Sequence, residues 1–175
     1  MHQLCSQVIL RNAEGHYLLQ MRKRGPNMGN WALAGGKLEP ELMESPAGCA
    51  IREVAEETGI SIELERLTLR CLLHEINFTE DGSQWTIFYY EYLAPFNTLP
   101  PPMEEGHFAF FSKEELPDLP MLRIDRELIL RNNGALAGAS FVSAEVDCKG
   151  GFDGELNIHE IRHESLQTRA GIGGA

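Results

Sequence analysis

The sequence is short of the features that mark several large protein classes. Cysteine occurs four times, at Cys5, Cys49, Cys71 and Cys148, with no C-x-x-C pair, which argues against a disulfide framework and for a reduced compartment. No apolar run approaches the ~20 residues needed to cross a bilayer. The opening MHQLCSQVIL has no basic stretch ahead of a long apolar segment, so no signal peptide is expected. Positive charge is in deficit, with 15 Lys and Arg against 26 Asp and Glu and a net charge of −11. That balance disfavours a sequence-independent grip on nucleic acid. Internal repeats, low-complexity segments and any Ser-His-Asp or Cys-His nucleophile arrangement are also missing. A soluble cytoplasmic globule is the expectation, and 175 residues at 43% hydrophobic suffice for one domain with a proper core.

Against that background, residues 35–60, GGKLEPELMESPAGCAIREVAEETGI, stand out. Ser45 as N-cap and Pro46 at the first helical position predict a helix start. Gly59 after Thr58 predicts its left-handed end. Ala50, Ile51, Val54 and Ala55 can form the buried stripe, which leaves Glu53, Glu56 and Glu57 at i, i+3 and i+4 on one face. Like charges at that spacing repel by roughly 0.2–0.5 kcal/mol per pair on an exposed helix. Two readings follow: a solvated acidic face, or hard oxygen donors that hold Mg²⁺ or Mn²⁺.

The run Arg52-Glu53-Val54-Ala55-Glu56-Glu57-Thr58-Gly59-Ile60 resembles the second half of the Nudix box, the signature of the Nudix hydrolase family. Gly35-Gly36-Lys37-Leu38-Glu39-Pro40, read as a glycine turn, resembles its first half, and Glu44 sits eight positions before Arg52. The spacer Lys37–Met43 is two residues longer than is usual, with Glu41-Leu42-Met43 where relatives carry a single glycine. The entering loop is expected to bulge outwards, which leaves open whether Glu44 and the Gly35 carbonyl reach their usual places.

The resemblance implies an α+β fold, a Nudix-type α/β/α sandwich with a mixed sheet, and Mg²⁺-dependent cleavage of a phosphoanhydride in a nucleoside diphosphate linked to another group. It implies Glu56 and Glu57 as metal ligands with the Gly35 carbonyl, and Glu53 as a further ligand or the general base. Arg52 would pair with Glu44 or a helix glutamate to hold it in orientation. Alignment of Phe110-Phe111-Ser112 with the MutT-like branch places Glu104, next to Glu105, as a late metal ligand; a solvated acidic pair is the alternative. Lys37 and the basic loop Arg22-Lys23-Arg24 are candidate phosphate contacts, with Lys37 and Arg22 the ones chosen. Homodimers are common in the family.

Elsewhere the pattern predicts strands at Leu4–Leu10 and His16–Met21 joined by an Asn12–Gly15 hairpin turn, and a short strand at Trp31–Leu33. Further strands are expected over Ile62–Leu73, broken near Thr68, then Trp85–Leu93 after a turn at 79–83, and His107–Phe111. A helical turn is expected at Lys113–Leu116 and a second helix at Ile124–Arg131, with Ile124, Leu128 and Ile129 as its stripe. Residues 1–133 read as the main domain. Residues 134–175 read as an extension packed on it, with a hairpin from Ala139–Val146 and Leu156–Arg162 and a frayed end.

Trp31, Phe78, Trp85 and Phe110 could stack a base, although each is more often a core residue. His74, His107, His159 and His163 show no metal-ligand spacing. Residues 61–94 lack proline, a weak mark against an ADP-ribose pyrophosphatase, and Asn77-Phe78 stand where dinucleoside polyphosphate hydrolases often have tyrosine. The ending HFAFFSKEELPDLP resembles the MutT-like branch, and that resemblance, with these eliminations, implies a nucleoside or deoxynucleoside triphosphate cleaved to monophosphate and pyrophosphate, ahead of ADP-ribose or a nucleotide sugar. A non-catalytic nucleotide sensor is the alternative of another class.

Overall fold

A computed structural model describes residues 2–24, 27–76, 82, 84–104, 106–130, 141–148 and 157–164; for Leu128, Ile129 and residues 157–164 it describes the backbone alone. The strands are β1 (His2–Ile9), β2 (Tyr17–Arg22), β3 (Trp31–Ala32), β4 (Ala34–Lys37), β5 (Leu67–Ile76), β6 (Gln84–Tyr92), β7 (Gly106–Phe111), β8 (Phe141–Asp147) and β9 (Asn157–Glu164). The helix α1 spans Pro46–Thr58, and a short π-helical segment spans Asp125–Leu130. One mixed sheet has the order β4-β1-β6-β5-β8-β9, and a smaller sheet has the order β3-β2-β7.

Alternation along the strands sends neighbouring side chains into two cores. Leu18 and Leu19 show this: Leu18 joins Val8, Ala34, Ala50, Val54 and Phe108 under α1, whereas Leu19 joins Ile9, Tyr89, Ile124 and Leu130 on the other side. The sheets are thus covered by α1 on one face and by Ile124–Leu130 on the other, the expected α/β/α arrangement. Each fully buried Val or Leu contributes about 1.5–3 kcal/mol.

Three local expectations need correction. The Asn12–Gly15 turn forms, but Leu4–Leu10 and His16–Met21 do not make a hairpin. Pairing stops at the Arg11–Tyr17 bridge and the Leu18 N–H to Leu10 carbonyl bond, after which β1 and β2 enter different sheets. Gly35-Gly36 is not a turn but the middle of β4, paired with Gln7 and Ser6 of β1. The irregularity in β5 lies between Leu69 and Cys71, beyond Thr68.

The second helix is π-type over Asp125–Leu130, with Ile124 and Leu130 buried; Arg131 and the side chains of Leu128 and Ile129 lie outside the described residues. The helical turn predicted at Lys113–Leu116 lies slightly later, at Leu116–Asp118. The C-terminal strands pair antiparallel, and β8 runs parallel to β5, which builds the hairpin into the main sheet. The turns at 79–81 and 150–154, Phe78, Glu105 and the chain end fall outside the described residues.

Candidate active site

Local sequence fixes the position of α1. The Ser45 hydroxyl accepts the Gly48 N–H at 3.0 Å, Pro46 pre-sets the first turn, and Gly59 at φ 73° donates its N–H to the Ala55 carbonyl. Burial of Ala50 and Val54, with Ile51 and Ala55 half-buried, sets the rotation of the helix about its axis. The three glutamates then meet three different environments. Glu57 is only 6% exposed and its Oε2 accepts the Gly35 N–H at 3.0 Å. Glu53 has a side chain 15% exposed, and Glu56 one that is 61% exposed.

The glycines are what let the helix come so close to β4. A Cβ on Gly36 would fall within 3.0 Å of the Glu53 carboxyl carbon and both its oxygens. A Cβ on Gly35, which has φ 148°, would fall within 3.0 Å of the Ser6 carbonyl oxygen and Gln7 Cα. Burial pushes the Glu53 pKa upward, with hydrogen bonds from Arg52 working against that rise.

Arg52 gathers the carboxylates. Its Nε donates to Glu44 Oε2 at 3.0 Å and its Nη2 to Glu44 Oε1 at 2.8 Å, a bidentate pair. Its Nη1 donates to Glu53 at 2.7 Å and Glu56 at 3.0 Å, and Nη2 also reaches the Lys37 carbonyl at 3.1 Å. The Arg52 pKa is raised, first by its bonds to Glu44. Glu44 is held below the usual carboxylate range by those same bonds, and it also accepts the Glu39 N–H at 2.9 Å.

The inserted residues are absorbed by a 3₁₀ turn, Pro40–Leu42, closed by Met43 at φ 49° with its N–H on the Pro40 carbonyl. Met43 is 91% exposed. The loop therefore bulges outwards and returns Glu44 to Arg52.

Other candidate residues lie elsewhere. Lys37 is exposed on β4, with Nζ 4.9 Å from the centre of the Trp85 ring. Arg22 ends β2 opposite Gly106, and its buried Nε has no hydrogen-bond partner among the described residues. Glu104 is 77% exposed and ion-paired with Arg24, and Lys23 is exposed. Trp31 is buried edge-on to His107 and Phe111, whereas Phe110 and Trp85 are half-buried.

Sequence reasoning missed a buried acidic pair. Glu75 has its pKa raised to about 8 by burial and by Asp125, and Asp125 has its own raised to about 6 by burial. The Tyr89 hydroxyl donates to Asp125 at 2.8 Å. The signal was available in β5, where Cys71, Leu73 and Glu75 alternate inward.

Chemically, the carboxylates of Glu39, Glu44, Glu53 and Glu56 around the one Arg52 guanidinium leave a surplus of negative charge beside a backbone edge. Oxygen donors of this kind suit Mg²⁺ or Mn²⁺, and Glu53, Glu56, Glu57 and the Gly35 carbonyl are the residues that could hold one. Among the described residues, no three His, Cys, Asp or Glu side chains are already gathered closely enough to grip an ion. Arg52 lies among the carboxylates instead.

Comparison with known proteins gives the family and the fold. An RNA pyrophosphohydrolase from Erythrobacter litoralis is 35% identical over 66 residues, 38% of this chain. The chain spans 39% of that relative's length. The fold matches a MutT protein from Bacillus halodurans at TM-score 0.66 and 22% identity, over 91% of this chain and 96% of that one. It also matches a MutT NUDIX hydrolase from Burkholderia pseudomallei at TM-score 0.61 and 29% identity, over 72% and 94% of the two chains. The NUDIX domain family itself matches residues 1–132, and the chain belongs to that family.

Proposed function

We propose that this protein is a Mg²⁺-dependent pyrophosphohydrolase whose substrate is a nucleoside or deoxynucleoside triphosphate, cleaved to monophosphate and pyrophosphate. The observation that carries this reading is the set of α1 carboxylates packed against the Gly35-Gly36 backbone and organised by Arg52. Glu56, Glu57 and the Gly35 carbonyl would hold the ion, with Glu53 as a further ligand or the general base and Glu104 as a further donor once it leaves Arg24. When bound, a divalent ion neutralises phosphoryl charge and lowers the pKa of bound water.

The chain's own residues supply the rest. Glu57 ties α1 to β4 through Gly35. Arg52 orients Glu44 and Glu53. Where it is not a ligand, Glu53 would take the proton of the water that attacks phosphorus as the anhydride P–O bond breaks and pyrophosphate leaves. Arg22, whose Nε lacks a partner among the described residues, and Lys37 would meet the phosphates. The site would work as one subunit's own, in a monomer or a homodimer.

The test is a panel of canonical and oxidised dNTPs, ADP-ribose, NADH, dinucleoside polyphosphates and nucleotide sugars, with Mg²⁺ or Mn²⁺. A triphosphate should be the best substrate, and Glu57→Gln should abolish most of the turnover. Unchanged hydrolysis in Glu57→Gln would refute the site. Binding without turnover across the panel would show a nucleotide sensor, and preference for ADP-ribose would replace the substrate.

A further inference from the structure

Strand β2 carries two buried donors that the fold leaves unpaired. Gln20 is only 1% exposed, and its Nε2 has no hydrogen-bond partner among the described residues; the same holds for Arg22 Nε. A buried donor without an acceptor costs its desolvation with nothing in return. Leucine or methionine at position 20 would fill a similar volume without that cost, so packing does not account for the carboxamide.

Strand geometry puts both donors on one side. Residues two apart on a strand share a face, so Gln20 and Arg22 follow Leu18, which packs with Ala34, Val54 and Phe108 under α1. Across the small sheet Gln20 pairs with Phe108, and Arg22 with Gly106. Yet the Gln20 side chain leans past its own partner towards Arg22, since its Cγ lies 3.1 Å from where a Cβ on Gly106 would be. That Cβ would also strike the Met21 carbonyl oxygen, so glycine keeps this stretch of β7 open beside the two donors. On its other side Gln20 pairs with Ala32 of β3. Ala32 is three residues, no more than about 11 Å of chain, from Gly35, whose N–H holds Glu57.

An amide N–H beside a guanidinium N–H matches a phosphoryl oxygen, because both groups donate and the guanidinium adds positive charge. We propose that Gln20 is a phosphate-binding residue, its Nε2 donating to a non-bridging oxygen that Arg22 also grips. Arg22 is half-buried although its Nε is buried, so the rest of its side chain meets solvent and the phosphate enters from that side. The assignment rests on the pyrophosphohydrolase reading and adds to it a residue that reads the phosphate chain, whatever base that chain carries.

The experiment compares the full chain with Gln20→Met and Gln20→Leu, two apolar variants of similar volume. Three quantities are read in Mg²⁺: the Tm of each protein alone, the affinity for inorganic tripolyphosphate by calorimetry, and kcat and KM on the best triphosphate. Loss of a buried unpaired amide should leave the ligand-free Tm at or above that of the parent. Tripolyphosphate should bind about tenfold more weakly, the loss of one hydrogen bond to a charged group. KM should rise by a similar factor with kcat within about threefold, because the contact is made in ground and transition states alike. Affinity unchanged in either variant would overturn the proposal, as would a parent chain that does not bind tripolyphosphate. Weakened binding in a chain that cleaves no triphosphate would refute the substrate reading and leave Gln20 assigned; triphosphate cleavage with unchanged affinity would do the reverse.

Discussion

Exchanging each of the adjacent glycines of β4 for alanine should separate chemistry from stability. In Gly36→Ala the three atoms nearest the new methyl all belong to the Glu53 carboxyl group, the far end of a flexible side chain. That carboxylate must move by roughly 1 Å to regain ordinary contact, and a misplacement of this size in a catalytic group costs about 10²-fold in rate. The equivalent is about 2.7 kcal/mol at the transition state. Because the neighbour can give way, the stability cost should stay below about 1 kcal/mol.

Gly35→Ala differs in kind. Its methyl meets the backbone of Ser6 and Gln7, at a φ of 148° that side chains rarely adopt, and the Gly35 N–H to Glu57 bond is at risk. Strands β1 and β4 would have to part, at about 3 kcal/mol or more. For a chain of this size that is a Tm drop of roughly 6–12 °C. Calorimetry on both variants, with kcat on the best substrate and Mn²⁺ affinity by EPR, makes the comparison. A Gly36→Ala protein that keeps kcat within about twofold of the parent, or that melts as early as Gly35→Ala, would refute the reasoning.

Arg52→Ala should lose about 2–3 kcal/mol in urea unfolding, because it strands Glu53 without its donor and leaves Glu44 only the Glu39 N–H; a loss under about 0.5 kcal/mol would contradict the network described. Met43→Gly should leave stability unchanged or raise it by up to about 1 kcal/mol, since Met43 is exposed and left-handed, and a clear drop in Tm would count against the strain. Asp125 gives the pH prediction. Its folded pKa is raised to about 6 from 3.8 by burial, so between these values the folded chain holds more protons than the unfolded one and stability falls as pH rises. Asp125→Asn keeps an acceptor for Tyr89 and cannot ionise. It should therefore gain over the parent by on the order of 3 kcal/mol above pH 6 and show no gain near pH 4; urea midpoints that differ equally at both pH values would exclude this account.

What the sequence could show was whatever a few neighbouring residues decide. Ser45, Pro46 and Gly59 mark the ends of α1 because capping is local, and the helix runs between them. The rank of the three glutamates was hidden, because helix spacing makes Glu53, Glu56 and Glu57 equivalent until β4 is laid beside them. Gly35-Gly36 looked like a turn for a related reason: the close approach that demands glycine comes from Ser6 and Glu53, both remote in the chain. The split of β1 and β2 between sheets was equally invisible, since the Asn12–Gly15 turn is the same whether its arms stay paired or diverge. Glu44 reaches Arg52 because one 3₁₀ turn takes up the added length, an outcome that depends on Met43 adopting a conformation its residue type disfavours.

The placement of β1 between β4 and β6 also bears on how the chain folds. Its partner β4 lies within about thirty residues and α1 follows at once, so a β1–β4–α1 unit can close early. Its parallel partner β6 is on the order of eighty residues away, and β8 must later find β5 across a comparable gap. The centre of the sheet is thus closed only once the β5–β6 pair reaches β1 and β8 then reaches β5. Until they do, β1 presents an unpaired edge, and that interval is when a slowly folding copy of this chain is most exposed to pairing with another.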